Sequence, residues 1–313
     1  MCMKCSEKAS WVLTTKSAEC ILVKDNKNRR KNMDKKTLLE LKKKAAQVRK
    51  HIVTEVYSAS SGHPGGSLGS AEIFTYLFTK EMRLDTKNPK WADRDRFVLS
   101  KGHCAPGLYA ALAVKGFFPE EDLTGFRSID SYLQGHPSMK DVPGVDMSTG
   151  SLGQGISAAV GMALAGKLDQ KDYRVFALLG DGEIEEGQVW EAFMSAAHYN
   201  LDNLTAFLDH NGLQIDGNIS DVMCPESVVE KFKAFCWHVI SIDGHDFEAI
   251  EAAVEEAKTI KGKPTVIVAE TIKGKGVSYM EGDYGWHGKA PNDEEYKIAM
   301  KELEEAMAEL EAE

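Results

Sequence analysis

The sequence predicts an α/β protein built on an open, mostly parallel sheet with helices on both faces. Three observations carry that expectation. Short runs at 96–99, 174–179, 204–209, 237–242 and 264–269 are apolar almost throughout, as strands buried on both faces are. The stretches between most of them have helical length and periodicity. Polar, glycine-rich clusters follow the runs ending at 99, 179 and 209, the edge where open parallel sheets bind ligands.

Each element has a local reason. Asp34 is placed to cap a helix in which Leu38, Leu41, Ala45, Val48, Ile52 and Val56 recur at spacings of three and four. That helix should end at the turn Ser60-Ser61-Gly62-His63-Pro64-Gly65-Gly66, and a second helical segment is expected over about 70–80. Residues 153–168 (GQGISAAVGMALAGKL) are rich in Gly and Ala, so a helix there lets another backbone come close. Further helices are expected at about 187–199, 226–235 and 246–260, with an acidic amphipathic one over about 292–312. No repeat, low-complexity linker or second domain interrupts the pattern. Residues 1–32 are low in periodicity, and a second methionine, Met33, precedes the first strong helix. The expectation is a disordered or mis-started extension followed by one domain over 33–313.

Bulk properties narrow the function. A chain of 313 residues, 43% hydrophobic, has enough core for one large α/β domain or two small ones. Its net charge of −10 argues against general nucleic-acid or anionic-membrane binding. No apolar run reaches the roughly 18 residues of a membrane span. The lysine-rich start fits one side of a solvated helix. Of six cysteines, Cys2-x-x-Cys5 lacks a second pair at zinc spacing, and Cys104, Cys224 and Cys236 are scattered. Reduced thiols in the cytoplasm are the expectation, and the N-terminus lacks the apolar core of a secretory signal.

The chemistry starts at Gly180-Asp181-Gly182, delivered by the run RVFALL. Gly182 permits a close backbone approach, and the helix that follows offers N–H groups suited to phosphate. Asp181 supplies an anionic oxygen. The next run ends at Asp209-His210-Asn211-Gly212, bringing an amide oxygen to the same edge. Mg²⁺ prefers a few protein oxygens together with phosphate oxygens, so one carboxylate, one amide and a nearby main-chain carbonyl make a cradle for a metal-bound diphosphate. Gly-Asp-Gly alone is more often a turn; an Asn on the following strand, with 28 residues (183–210) between it and Gly182, changes that balance.

At these residues the chain resembles thiamine-diphosphate enzymes, and further motifs resemble transketolase in particular. They are Ser61-Gly62-His63-Pro64-Gly65, Leu99-Ser100-Lys101-Gly102-His103, Gly135-His136-Pro137 and Trp286-His287-Gly288, together with WADRDRFVLS at 91–100, TGSLGQGIS at 149–157 and WHVISIDGHD at 237–246. The resemblance covers about residues 40–290. It implies that Asp181, Asn211 and the carbonyl of Leu213 ligate Mg²⁺. It implies that Gly182 donates to the diphosphate of thiamine diphosphate, with His103 and His287 nearby and the backbone of Gly150 and Leu152 along the cofactor. His63, His136 and His287 would face the sugar and move protons at its oxygens, work that suits imidazole. Ser151 stands where the family has Pro. Glu186 is, on its own, a carboxylate favoured at a helix N-terminus; the resemblance implies pairing across a subunit interface with a partner's glutamate. Glu183 and Glu185 receive no role.

The family's pyrimidine-binding half is not seen in these 313 residues. The expectation is therefore the N-terminal subunit of a two-subunit transketolase, completed by a pyrimidine-binding partner in an α₂β₂ assembly. The implied reaction moves a two-carbon ketol unit from xylulose 5-phosphate to ribose 5-phosphate. Alternatives are the same chemistry on another ketose phosphate, a 1-deoxyxylulose 5-phosphate-forming relative, a non-catalytic cofactor-binding subunit, and a truncated single-chain enzyme.

Overall fold

β-branched and aromatic side chains can fill both surfaces of a pleat, and each of the five apolar runs forms a strand. The computed structural model describes residues 33–313; the expectation for 1–32 lies outside the described residues. In chain order the elements begin with α1 (Lys35–Ser58), α2 (Pro64–Gly69), α3 (Ala71–Tyr76), β1 (Arg96–Leu99), α4 (Ala105–Lys115), α5 (Gln154–Leu168), β2 (Val175–Gly180) and α6 (Gly187–His198). They continue with β3 (Leu204–His210), β4 (Leu213–Gln214), β5 (Gly217–Asn218), α7 (Ile219–Val222), α8 (Val228–Ala234), β6 (His238–Asp243), α9 (Phe247–Thr259), β7 (Thr265–Glu270) and α10 (Asp293–Ala312).

The main sheet has the order β1-β2-β3-β7-β6, with every neighbouring pair parallel. Alternation along the strands divides the core in two. Phe97, Leu99, Phe176, Leu178, Phe207 and Ile267 pack with residues of α1, α3, α4 and α9. Val98, Ala177, Leu179, Leu208 and Val268 pack with α5, α6 and α8 on the other face. The expected sheet covered by helices on both faces is what forms. α10 returns onto α1 through a third cluster that includes Val48, Ile52, Leu303 and Trp286, and its start is fixed by a capping box between Asn292 and Glu295.

Strand positions agree with expectation to within a residue, and the Asp34 side chain does cap α1 by accepting from the Thr37 N–H at 2.9 Å. Four places differ, the short unexpected α7 among them. The segment expected over 70–80 begins at Pro64 and is broken into α2, α3 and a π-helical turn at Leu77–Glu81. Pro suits the first turn of a helix, while Ser67 and Ser70 donate their hydroxyls to the carbonyls of His63 and Gly66, a local competition that disturbs helices. α4 was not expected at all: Ala105 through Ala113 are buried all round, so there is no polar face to mark a period. The hairpin β4–β5, with Leu213 opposite Asn218 and Gln214 opposite Gly217, is too short to show alternation.

Glu55 sits fully buried on α1 with both carboxylate oxygens unpartnered, and burial pushes its pKa well above the usual glutamate range. Burial thus favours the protonated form in the folded state. The contribution of Glu55 to stability is therefore most favourable below its unfolded-state pKa near 4.5 and falls as pH rises from there towards the raised folded value, by up to about 1.4 kcal/mol per pH unit. Glu55→Met should raise the stability of the chain by about 1–3 kcal/mol at pH 7.5. It should also flatten the fall between pH 5 and pH 8, as measured by urea unfolding across that range.

Candidate functional site

Four adjacent strands, β1, β2, β3 and β7, each hand the chain to a polar loop at their carboxyl ends. β2 ends at Gly180, and Asp181 follows it into the sheet edge at 2% exposure. Its Oδ2 accepts the main-chain N–H groups of Asn211 (2.8 Å) and Gly212 (2.6 Å) just beyond β3. Its Oδ1 is buried with no hydrogen-bond partner. Burial pushes the Asp181 carboxyl up to about 7. The Asn211 side chain is oriented at both ends: Oδ1 accepts the Leu213 N–H at 3.1 Å, and Nδ2 donates to Asp209 at 3.0 Å. An amide oxygen keeps a second lone pair in that position.

These groups border a cavity of about 110 Å³. Of the residues expected from sequence, His103, Leu152, Asp181, Gly182, Asn211, Leu213 and His287 line it. His63 joins them by ring contact, 5.2 Å from His103 and 5.5 Å from His287, while His103 and His287 stack at 5.0 Å. Gly150 and His136 lie to one side. Gly150 has a φ of +157°, and a Cβ there would stand 3.0 Å from His136, so the imidazole lies against bare backbone. His136 opens instead onto a second, wider cavity. Glu186 is exposed, stands at the N-cap position of α6 without a side-chain capping bond, and lines neither cavity.

The histidines are held neutral. Burial, with the charges of Arg127 and neighbouring groups, lowers His63 to about 4. Burial and Lys273 lower His287 to about 3. Burial, and the neighbouring His287 and Lys101, depress His103, and burial and Arg127 depress His136. At neutral pH these rings can accept or donate hydrogen bonds without carrying charge.

Two lysines at this site escaped the sequence reading. Lys101 Nζ donates to Asp209 Oδ2 at 2.6 Å and to Ser70 at 2.7 Å, fully buried. Burial alone would depress its ammonium, but the Asp209 carboxylate offsets this and holds the pKa above the ordinary lysine value. Lys273 lines the cavity at 3% exposure, and among the described residues its ammonium makes no hydrogen bond or ion pair. Burial lowers its pKa. Its loop is firmly placed. Ile272 N–H donates to His245 Nε2, Arg49 donates to the Lys275 carbonyl, and both side chains meet on Glu72. A Cβ at Gly65 would stand 2.9 Å from the Trp286 carbonyl and 3.0 Å from the Lys273 side chain, so glycine is required for that approach. The signal was available: a lysine in a Gly-rich turn straight after a strand, at Ser100-Lys101-Gly102 and Lys273-Gly274-Lys275. Glu183, given no role from sequence, ties three loops together by accepting from Ser100, Gly153 N–H and Gly180 N–H.

On one cavity, a buried lysine whose ammonium has no partner among the described residues and a partnerless buried carboxylate oxygen call for both signs of charge at once. A metal-bound diphosphate carries both, and fold and cavity together fit a diphosphate-binding α/β domain. Among the described residues no cluster of three or more His, Cys, Asp or Glu side chains is arranged for a metal, so a cation here would rely on amide, carbonyl and phosphate oxygens beside one carboxylate.

Residues 41–307 match the family of the transketolase, thiamine diphosphate binding domain, and the chain belongs to that family. It is 47% identical over 266 residues to the 6-deoxy-6-sulfo-D-fructose transketolase subunit of a Clostridium species, covering 85% of this chain and 97% of the relative. It is 43% identical to one of the apulose-4-phosphate transketolase subunits of Phocaeicola vulgatus, covering 85% of this chain and 94% of the other. The crystal structure of Campylobacter jejuni transketolase superposes with a TM-score of 0.80 at 34% identity, over 86% of this chain and 45% of that one. This chain thus spans under half the length of that solved transketolase.

Lys101→Met should leave the Asp209 carboxylate buried without its cation. The expected loss is about 3–5 kcal/mol in urea unfolding. The double variant Lys101→Met/Asp209→Asn should lose clearly less than the sum of the single changes.

Proposed function

We propose that this chain is the diphosphate-binding half of a split transketolase, completed by a pyrimidine-binding partner subunit in an α₂β₂ assembly in the cytoplasm. The observation that carries the reading is one cavity bordered by the partnerless Oδ1 of Asp181 and by the Lys273 ammonium, which makes no hydrogen bond or ion pair among the described residues. Two relatives named as transketolase subunits are covered over 97% and 94% of their lengths, which supports a separate partner chain.

Asp181, Asn211 and the Leu213 carbonyl would hold Mg²⁺, and the orphaned buried oxygen of Asp181 fits that duty. Gly182 N–H and Lys273 would hold the diphosphate, with His103 and His287 beside it and the backbone of Gly150 and Leu152 alongside. Thiamine diphosphate, when bound, supplies the nucleophilic carbon and electron sink for cleaving and forming the ketose C–C bond. The protein's own share is placement and proton handling. His63, His136 and His287, neutral at pH 7, would hold or move protons at the hydroxyl and carbonyl oxygens of the sugar. Glu186, exposed at the start of α6, would meet the partner's glutamate. The substrates would be a ketose phosphate as donor and an aldose phosphate as acceptor. Xylulose 5-phosphate with ribose 5-phosphate is the first pair to test, and 6-deoxy-6-sulfofructose and apulose 4-phosphate, from the names of the two relatives, come next.

Turnover should require both chains: none with the purified chain alone, and activity with thiamine diphosphate, Mg²⁺ and the partner added. Activity of the lone chain would overturn the split site. Asp181→Asn should weaken Mg²⁺-dependent thiamine diphosphate binding by about 3 kcal/mol, on the order of 100-fold, as measured by calorimetry.

The wild-type cofactor affinity should depend on pH with a definite sign. The Asp181 carboxyl holds its proton up to about 7, and a cation must displace it. Affinity should therefore rise with pH towards 7 and level off above it. Calorimetry in buffers of different ionisation enthalpy should detect a proton released at pH 6 and little at pH 8.5.

A further inference from the structure

The second cavity, about 460 Å³, is lined by Ala59, Ser61, Arg127, Gln134, Gly135 and His136. It joins the histidine cluster to the outside, because His136 borders it and Arg127 lies close enough to depress both His63 and His136 electrostatically. Arg127 is the only cation among its lining residues.

Three features of Arg127 set it apart. Its guanidinium makes no ion pair with a carboxylate among the described residues; it donates once, from NH1 to Ser61 Oγ at 2.9 Å, and its Nε is buried without a partner. The group is nevertheless held in place, flat against Gly135, where an added Cβ would stand 2.8 Å from its Cζ. Its own backbone has φ of +61°, in the left-handed region that costs a non-glycine residue of order 1 kcal/mol or more. The Arg127 N–H is bonded to the Leu133 carbonyl at 2.8 Å, which keeps that backbone in place. A strained backbone presents an immobilised, incompletely satisfied guanidinium to an open polar cavity next to the histidines. Guanidinium forks recognise tetrahedral and planar oxyanions by paired N–H donors.

We propose that Arg127, steadied by Ser61, is the anchor that this chain supplies for the anionic end of the sugar, a phosphate or sulfonate, and so helps to determine which ketoses are accepted. The inference rests on the transketolase reading of the site and adds to it a specificity residue. Arg127 does not touch the cofactor cavity, so its contribution is to sugar binding and orientation alone.

The test uses the chain with its partner, loaded with thiamine diphosphate and Mg²⁺, and compares a phosphorylated ketose with the same ketose lacking phosphate. Arg127→Gln should raise KM for the phosphorylated donor on the order of 10–100-fold. Its kcat should hold within about threefold, and the neutral ketose should change little. Arg127→Lys, which keeps the charge and loses the fork, should fall between. Equal losses for both ketoses, or no loss for either, would overturn the proposal. Weakened association of the two chains with unchanged selectivity would also overturn it, by showing that Arg127 pairs with a carboxylate of the partner. A second arm needs no turnover: inorganic phosphate titrated into the chain alone should shift the NMR signals of His136 and His63 in the wild type and not in Arg127→Gln. A phosphate response that depends on Arg127 in a pair inactive on every ketose tried would keep this site and reject the transketolase reading. The same shifts in Arg127→Gln would reject the anchor whatever the activity.

Discussion

The buried pair of Lys101 and Asp209 is the contact on which the site depends. It joins the loop after β1 to the end of β3, and each partner is further tied. Lys101 donates to Ser70 at the α2–α3 break. Asp209 accepts from Thr271 beyond β7 and from Asn211. Three strand ends, those of β1, β3 and β7, and the histidine-bearing turn at 61–66 are thereby fixed relative to one another. Removing two charges from water is costly, and only full satisfaction of both makes the pair tolerable. Here the satisfaction is complete: the carboxylate takes three side-chain donors and the ammonium two side-chain acceptors. What the arrangement gains is position, in a loop region where backbone alone would leave it loose.

Above that balanced pair the cavity is left unbalanced. Among the described residues the Lys273 ammonium and the Oδ1 of Asp181 face it without hydrogen-bond partners, and burial shifts each group towards its neutral form. The histidines are likewise held neutral. A site in this condition has low charge without ligand and strong affinity for a ligand that supplies both a cation and an anion. Electrostatic preorganisation of this kind is stronger in a water-poor pocket than at a surface. The network of Arg49, Glu72 and His245 extends the same logic outward, since it fixes the main chain on both sides of Lys273.

Much of this was legible in the sequence, and the limits have physical causes. Strands buried on both faces announce themselves as apolar runs, so β1, β2, β3, β6 and β7 were found almost to the residue. Asp181 and Asn211 were legible because one helix and one strand fix their separation. α4 was invisible because burial on every side removes the periodicity that marks a helix. Lys101 and Lys273 carry a sequence signal, a lysine in a Gly-rich turn after a strand, but a loop lysine is ordinarily solvated, and their burial emerges with the tertiary structure. Glu183 was dismissed with its acidic neighbours, yet a carboxylate at a strand end can accept several backbone donors at once. Arg127 gave no sign, since neither its left-handed backbone nor its contact with Gly135 can be read from residue type.

The two cavities divide the labour of the site. The inner one is enclosed, tied by buried hydrogen bonds and set for a ligand of fixed chemistry, which leaves little room for variation. The outer one is open and carries a single cation on a loop. Two relatives named for different sugars match this chain over the same 85% of its length at 47% and 43% identity, so overall similarity does not select between sugars. If the cofactor end is common to such proteins, discrimination must fall to the wall around Arg127 and to whatever surface closes the vestibule from outside. A guanidinium there can require an anionic end without prescribing the carbon chain that carries it. Length and stereochemistry would then be read by the opposite wall, which the proposed partner subunit would contribute.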